Sequence, residues 1–216
     1  MRTDELIVQL ARSAKPVKPL PSPGVRAMRW FAGALLVMIV SIVMIGPRAD
    51  LASALSQPVF MGSLAALLLT LASGGTVAFV LSVPGAERSP VQRALPILTA
   101  AAWAAIWLVV FSAAGAPAGR PTAAVHSACA IEIAACAVIT GCLLFAMLAR
   151  AASLRPLWTA AVASLASVAT GATVAQILCP LDDPTHQLVG HVVIALVVAG
   201  AGLLVGGHAL NTWRRR

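Results

Sequence analysis

Six long apolar stretches constrain this chain more than any other feature of its sequence. Each has about the 20 residues that an α-helix needs to cross the hydrocarbon layer of a bilayer. They lie at residues 28–45, 59–83, 94–113, 127–149, 157–178 and 189–210. Hydrophobic residues make up 60% of the chain and charged residues only 10%, whereas a soluble domain has roughly 25% charged residues. The sequence therefore predicts an all-α membrane protein with six transmembrane helices.

The chain divides into a tail and a membrane domain. The intervals between the apolar stretches are too short for a soluble domain, so residues 28–216 are predicted to form one transmembrane domain. Residues 1–27 form a short tail before it. The first stretch could be read as a secretory signal peptide, but the charged segment before it is long and no small-residue cleavage site follows it. We therefore predict that the first span is permanent.

The basic residues predict the orientation, because loops on the cytoplasmic side carry an excess of Lys and Arg. With the N-terminus inside, all of the 15 Lys and Arg residues except Arg48 and Arg120 lie on the cytoplasmic side. Both termini are therefore predicted to be cytoplasmic. The net charge of +8 is mainly a topology signal, and the lack of a basic domain argues against nucleic-acid binding.

An unusually polar segment, CPLDDPTH, covers residues 179–186. On the predicted topology it joins the fifth and sixth spans on the outer side, where disulfides can persist. A turn between helices accounts for its acidic residues and for Pro180 and Pro184. Such a turn does not account for Cys179 or His186.

The four cysteines differ in their predicted depth. Cys129 lies near the outer start of the fourth span, at about the level of Cys179 on a different helix. Cys136 and Cys142 lie about 10 Å and about 20 Å deeper, at 1.5 Å per residue. A cysteine inside a span is usually a small apolar packing residue, and we predict that role for the two deeper ones.

Other ionisable residues surround the outer cysteines. His126, Cys129 and Glu132 are spaced by three and share one helix face. Glu132 is the only acid inside a span. Such a residue indicates a functional site. The alternative is a protonated carboxyl that is hydrogen-bonded to Ser or Thr of a neighbouring helix. His191, one turn into the last span, could face the same group.

Cysteine, histidine and carboxylate sets suit soft or borderline metals, although no close motif such as CxxC is present. No cofactor is predicted beyond a regulatory metal ion. Its candidate ligands are Cys129, Cys179, His186, Asp182, His191, Glu132 and His126.

The tail has the pattern of a short amphipathic helix over residues 3–14. Thr3 can cap it. The helix dipole favours the acidic residues in its first turn. Prolines from Pro16 onwards predict an extended spacer. A helix this short is marginal alone in water, so it needs either the membrane interface or a groove on a partner protein. The acidic first turn and the stiff spacer favour a partner.

The sequence resembles the NrsF family of anti-sigma factors in three segments. They are TDELIVQLARSAKPVKPL in the tail, Cys129 at the start of the fourth span with LRP after that span, and CPLDDPTHQLVGH before the last span. The resemblance covers essentially the whole chain. It implies a six-span protein of the bacterial inner membrane, without enzymatic activity, that restrains an extracytoplasmic-function sigma factor.

The resemblance also implies residue roles. The cytoplasmic tail is expected to hold the sigma factor, so the predicted sigma-binding residues are Asp4, Glu5, Leu6, Ile7 and Leu10. Cys129 and Cys179 are expected to take part in sensing stress such as metal ions or oxidants. The implied partners are the sigma factor and membrane lipids, without direct contact to nucleic acid.

Two other classes stay open on the residues alone. A membrane thiol oxidoreductase would use Cys129 and Cys179, but that class usually shows a CxxC pair. A small transporter or channel is expected to show paired intramembrane charges or a polar pathway, and the spans show neither.

Overall fold

A computed structural model describes residues 2–14, 19–86, 89–114, 123–151 and 153–213, with the backbone alone for residues 123–126. The described chain is helical throughout. The helices are α1 Thr3–Ser13, α2 Pro23–Ile45, α3 Leu51–Ala54, α4 Pro58–Leu81, α5 Pro90–Ala114, α6 Ala123–Leu148, α7 Pro156–Leu178, α8 Pro184–His186 and α9 Ile194–Trp213, with a π-helix at Gln187–Val193 between the last two.

Six helical segments within the described residues are long and apolar enough to cross a membrane. They are Pro23–Ile45, Pro58–Leu81, Pro90–Ala114, Ser127–Leu148, Pro156–Leu178 and Pro184–Trp213. The prediction of an all-α fold with six spans and a short N-terminal helix is confirmed. The six segments indicate a multi-pass membrane protein.

Three of the spans begin several residues earlier than predicted. They start at Pro23, Pro90 and Pro184, because proline fits the first turn of a helix, where its missing N–H has no intrahelical partner. The Ser22 hydroxyl and the Asp183 carboxylate each accept a hydrogen bond from a backbone N–H of the following first turn. Counting apolar residues misses such polar first turns.

Helix α1 lies outside the bundle core. It begins at Thr3 with Arg2 in the cap position, so the prediction that Thr3 caps it was wrong. The Glu5 carboxylate accepts a hydrogen bond from the backbone N–H of Arg2 at 3.1 Å. All residues of α1 are exposed, including Ile7 at 58% and Leu10 at 59%, so the described chain leaves the apolar face of α1 uncovered.

Helix α7 is the central helix of the bundle and packs against α2, α4, α5, α6 and α9. It is buried along most of its length and consists largely of small residues. Gly171 lies directly against the backbone of Ile133 in α6, and a Cβ atom at Gly74 of α4 would come within 2.9 Å of the Val162 carbonyl oxygen. Small residues therefore allow α4 and α6 to approach α7 closely, as packing in lipid requires.

Candidate functional site

The close contact between α6 and α7 determines the positions of two cysteines. The helices are antiparallel neighbours, so the start of α6 and the end of α7 lie at the same end of the bundle. Cys129 is half-buried near the start of α6, and Cys179 is buried immediately after α7. The Cys179 N–H still donates to the Ala175 carbonyl at 2.8 Å, which extends the helical hydrogen bonding to the thiol-bearing residue.

Two histidines reach the cysteines because the helix that follows is not regular. His186 ends α8, and His191 lies in the π-helix Gln187–Val193. In an α-helix, residues five apart point in directions that differ by about 140°. A π-helix forms hydrogen bonds between residues five apart, so it places them one turn above the other. The two imidazole rings are fully buried, and their centroids are 5.2 Å apart.

These four side chains form one group, which we call the thiol–imidazole cluster: Cys129, Cys179, His186 and His191. One ligand atom from each residue, a sulfur or a single ring nitrogen, lies within 4.8 Å of the other three. The His186 Nε2 atom is 3.2 Å from the Cys179 sulfur and 3.5 Å from the Cys129 sulfur. The structure thus brings together four of the seven predicted candidate ligands.

The surroundings of Cys179 favour its thiolate form. The hydrogen bond with the Cys129 thiol is the main cause that lowers the pKa of Cys179, and the hydrogen bond with His186 acts in the same direction. Burial opposes them, because it disfavours the charged form. A thiolate is the form in which cysteine binds metals and acts as a nucleophile.

His191 gives a further sign that the cluster suits a metal ion. Both of its ring nitrogens are buried and make no hydrogen bond of standard geometry with a described residue, although His191 lies close enough to Cys179 to help lower the pKa of that thiol. An unsatisfied buried polar group is unfavourable by about 1–3 kcal/mol, and coordination to a metal would satisfy one nitrogen. Two thiols and two imidazoles match the ligands that Zn²⁺ and Cu⁺ prefer. The residues present therefore fit such an ion.

Asp182 lies in the same loop but points to a different partner. Both of its carboxylate oxygens accept hydrogen bonds from the Arg48 guanidinium, at 2.8 and 2.6 Å. Arg48 also binds both oxygens of Asp50, at 2.7 and 2.8 Å. These hydrogen bonds, first with Asp182 and then with Asp50, raise the pKa of Arg48. The structure does not place Asp182 with the cluster.

Of the remaining two candidate ligands, Glu132 is not part of the cluster. Glu132 accepts a hydrogen bond from the Cys136 thiol at 3.2 Å on its own helix. The Cys136 sulfur also lies 3.4 Å from the Ser41 hydroxyl of α2. Cys136 therefore contacts both the Glu132 carboxyl and a hydroxyl of a neighbouring helix. The side chain of His126 lies outside the described residues.

The sequence reasoning missed the part played by Arg48. The available signal was its position: it is one of two basic residues on the predicted outer side. Its side chain is only 1% exposed. A charged group that is so deeply buried needs partners of opposite charge. An arginine that departs from the charge rule and has an aspartate two residues later indicates an ion-pair site.

The fold and the cluster define a multi-span helical membrane protein with a group of thiols and imidazoles at one end of its bundle. The chain belongs to the NrsF family, negative regulator of sigma F, whose family model matches residues 10–213. The resemblance seen in the sequence is confirmed, and the family's description is regulatory rather than enzymatic. No curated protein and no solved structure matches the chain.

Proposed function

We propose that this protein is a membrane-embedded anti-sigma factor that responds to metal ions or oxidants at its thiol–imidazole cluster. In the absence of stress it holds an extracytoplasmic-function sigma factor at the cytoplasmic face of a bacterial inner membrane. The observation that supports the sensing role is the cluster itself. Its four residues lie within residues 10–213, which match the family model. The regulatory part follows from the family.

The sigma factor is bound by α1 through an apolar face that the described chain leaves exposed. Leu6 and Leu10 are 39% and 59% exposed, and Asp4 and Glu5 lie in the first turn. A short amphipathic helix of this kind is recognised when it places its apolar face in a groove of a partner. Residues 4–9 precede the matched range, so this part of the proposal rests on the exposed face and the resemblance.

The cluster can react in two ways. A Zn²⁺ or Cu⁺ ion would be bound by the sulfurs of Cys129 and Cys179 together with one ring nitrogen of His186 and one of His191. A two-electron oxidant would instead join the Cys129 thiol and the Cys179 thiolate in a disulfide, taking two electrons while the Cys129 proton is released. Either event draws α6 towards the loop after α7, because a disulfide needs its sulfurs about 2 Å apart and a bound Zn²⁺ ion needs each sulfur at about 2.3 Å.

Helix α6 connects the cluster to the helix that follows the tail. The Trp30 indole N–H of α2 donates to the Thr140 carbonyl of α6 at 3.0 Å. Closer to the tail, the buried Arg26 side chain donates to the Met147 carbonyl of α6. A displacement of α6 at Cys129 therefore acts directly on α2, which leads back to the spacer and α1.

The orientation of the protein is part of this proposal. The distribution of basic residues favours both termini in the cytoplasm and the cluster on the outer side. We expect a reporter that is active only in the cytoplasm to work at either terminus and to fail when fused after Asp183. Activity of the Asp183 fusion together with inactive terminal fusions would reverse the orientation and contradict the proposal.

The proposed function is tested with the full chain in lipid nanodiscs, in which both membrane faces are accessible, and the sigma factor from the same bacterium. We expect the sigma factor to co-purify with the nanodiscs, to dissociate when Zn²⁺, Cu⁺ or a thiol oxidant is added, and to rebind after chelation or reduction. A sigma factor that never binds contradicts the anti-sigma proposal. A sigma factor that stays bound under all three treatments contradicts the sensing proposal.

A further inference from the structure

Arg48 is a buried cation next to the cluster. It lies between α2 and α3, and its side chain is 1% exposed. Burial of a charge is costly unless the charge is paired and hydrogen-bonded. Four hydrogen bonds to Asp50 and Asp182 provide that pairing. The guanidinium carbon also lies 5.6 Å from the centre of the Phe60 ring, a cation–π distance.

The partners of Arg48 lie on both sides of Cys179. Its backbone N–H donates to the Ile177 carbonyl at 3.1 Å, in the last turn of α7. Its guanidinium binds Asp182, three residues after the cysteine, with one hydrogen bond to each carboxylate oxygen. A planar guanidinium that binds a carboxylate in this way restricts direction as well as distance. Arg48 therefore holds the segment before and the segment after Cys179.

The rest of the loop is fixed from the histidine side. The Leu181 carbonyl accepts a hydrogen bond from the Gln187 side-chain amide at 2.6 Å. The Asp183 carboxylate accepts one from the His186 backbone N–H at 2.8 Å. Of the three consecutive residues so held, Asp182 alone is bound to the loop that precedes α3. Its ion pair is thus a long-range constraint on the loop, whereas the hydrogen bonds of Leu181 and Asp183 join residues that are close in sequence.

We propose that Arg48 is the positioning residue of the thiol–imidazole cluster, acting through its ion pair with Asp182. The ion pair holds the loop so that Cys179 and His186 face Cys129, which lies on a different helix. It also engages both oxygens of Asp182, a carboxylate three residues from Cys179 in sequence. A hard oxygen ligand is thereby kept out of a site whose sulfur and nitrogen ligands select softer ions. This inference rests on the proposed function of the cluster.

The two aspartates that bind Arg48 provide a matched pair of variants. Asp182→Asn and Asp50→Asn each remove one carboxylate charge from the same guanidinium, but only Asp182 belongs to the loop that carries Cys179. The experiment uses the full chain in nanodiscs with Cys136→Ser and Cys142→Ser in the background, so that Cys129 and Cys179 are the remaining thiols. It measures the rate of Cys129–Cys179 disulfide formation with a thiol oxidant, and the affinity for Zn²⁺ by competition with a chelator.

We expect Asp182→Asn to lower both the disulfide rate and the Zn²⁺ affinity by about 10- to 100-fold, the usual effect of losing a group that orients metal ligands. Asp50→Asn should change either quantity by no more than about threefold, because Asp50 binds the same guanidinium but is not part of the loop that carries Cys179. Arg48→Lys keeps the charge without the planar fork and should give intermediate values. Equal effects of the two Asn variants, or an unchanged disulfide rate in Asp182→Asn, would overturn the inference.

A second variant covers the case in which Asp182→Asn does not accumulate in the membrane. Asp182→Glu keeps the charge and moves the carboxylate by one methylene, so we expect an intermediate disulfide rate with unchanged thermal unfolding. A wild-type disulfide rate in Asp182→Glu would overturn the inference as well. Disulfide formation requires neither the sigma factor nor a metal, so this result is independent of whether the sigma factor is released. Failure of release with a large Asp182→Asn effect would count against the proposed function alone.

Discussion

Sigma-factor-dependent transcription is expected to lose its response to Zn²⁺, Cu⁺ and thiol oxidants when Cys129 or Cys179 is replaced by Ser. The double variant should resemble either single variant, because the two sulfurs act as one bidentate unit or as one disulfide. Cys136→Ser and Cys142→Ser serve as controls and should leave induction unchanged. Transcription is measured at equal membrane levels of each variant. Normal induction in the double variant would remove the cluster from the mechanism.

The histidines separate the metal response from the oxidant response. His191→Phe retains a ring of similar size but has no ligand atom, so it should weaken Zn²⁺ binding by about 10- to 100-fold. Disulfide formation between the cysteines does not need His191, so the response to an oxidant should remain. The variant should also unfold at the same or a higher temperature, because it removes buried nitrogens that make no hydrogen bond of standard geometry with a described residue. Loss of stability together with both responses would indicate a purely structural histidine.

Replacing Leu6 or Leu10 by Arg is expected to release the sigma factor without any stress. Both leucines are exposed on the apolar face of α1, and a charge there would enter the apolar groove of the partner. Loss of a central apolar anchor is typically unfavourable by about 2 kcal/mol or more, which corresponds to roughly a 30-fold weaker complex. Transcription of the sigma factor's own targets should therefore be high in untreated cells, and co-purification should fail.

Gln9→Arg is the matched control for these two variants. It introduces the same charge between the two leucines in sequence but on the polar side of the helix. It should bind the sigma factor almost as well as the wild type, and charge reversal at Asp4 and Glu5 should have a weaker effect than either leucine variant. Normal co-purification of Leu6→Arg and Leu10→Arg would show that α1 does not enter a groove of the sigma factor.

Much of the fold could be predicted because a bilayer permits few solutions. A spanning segment must satisfy its backbone within itself and must be apolar for about 20 residues, so the six spans are visible in the sequence. The equal depth of Cys129 and Cys179 followed from the rise of an α-helix. The helix starts at Pro23, Pro90 and Pro184 were placed late, since a polar first turn does not differ in composition from a loop.

The rest of the site depended on two facts that local sequence does not contain. His186 and His191 share a face only because the segment from Gln187 is a π-helix, and α-helical periodicity would separate them. Asp182 is bound by Arg48, which lies 134 positions earlier in the chain. Such a pairing is set by the packing of whole helices, so a list of acidic residues near the cysteines cannot anticipate it.

The π-helix makes the cluster sensitive to helix geometry as well as to composition. If Gln187–Val193 became regular α-helix without a change in chain length, the directions of His186 and His191 would differ by about 140°. His191 would then point away from the sulfurs, although all four reactive side chains were still present. Deleting one residue between the two histidines would instead leave them four apart, and in a regular α-helix they would again share one face. The match between the spacing of these two histidines and the π-helix is therefore as much a part of the sensor as the atoms that bind the ion.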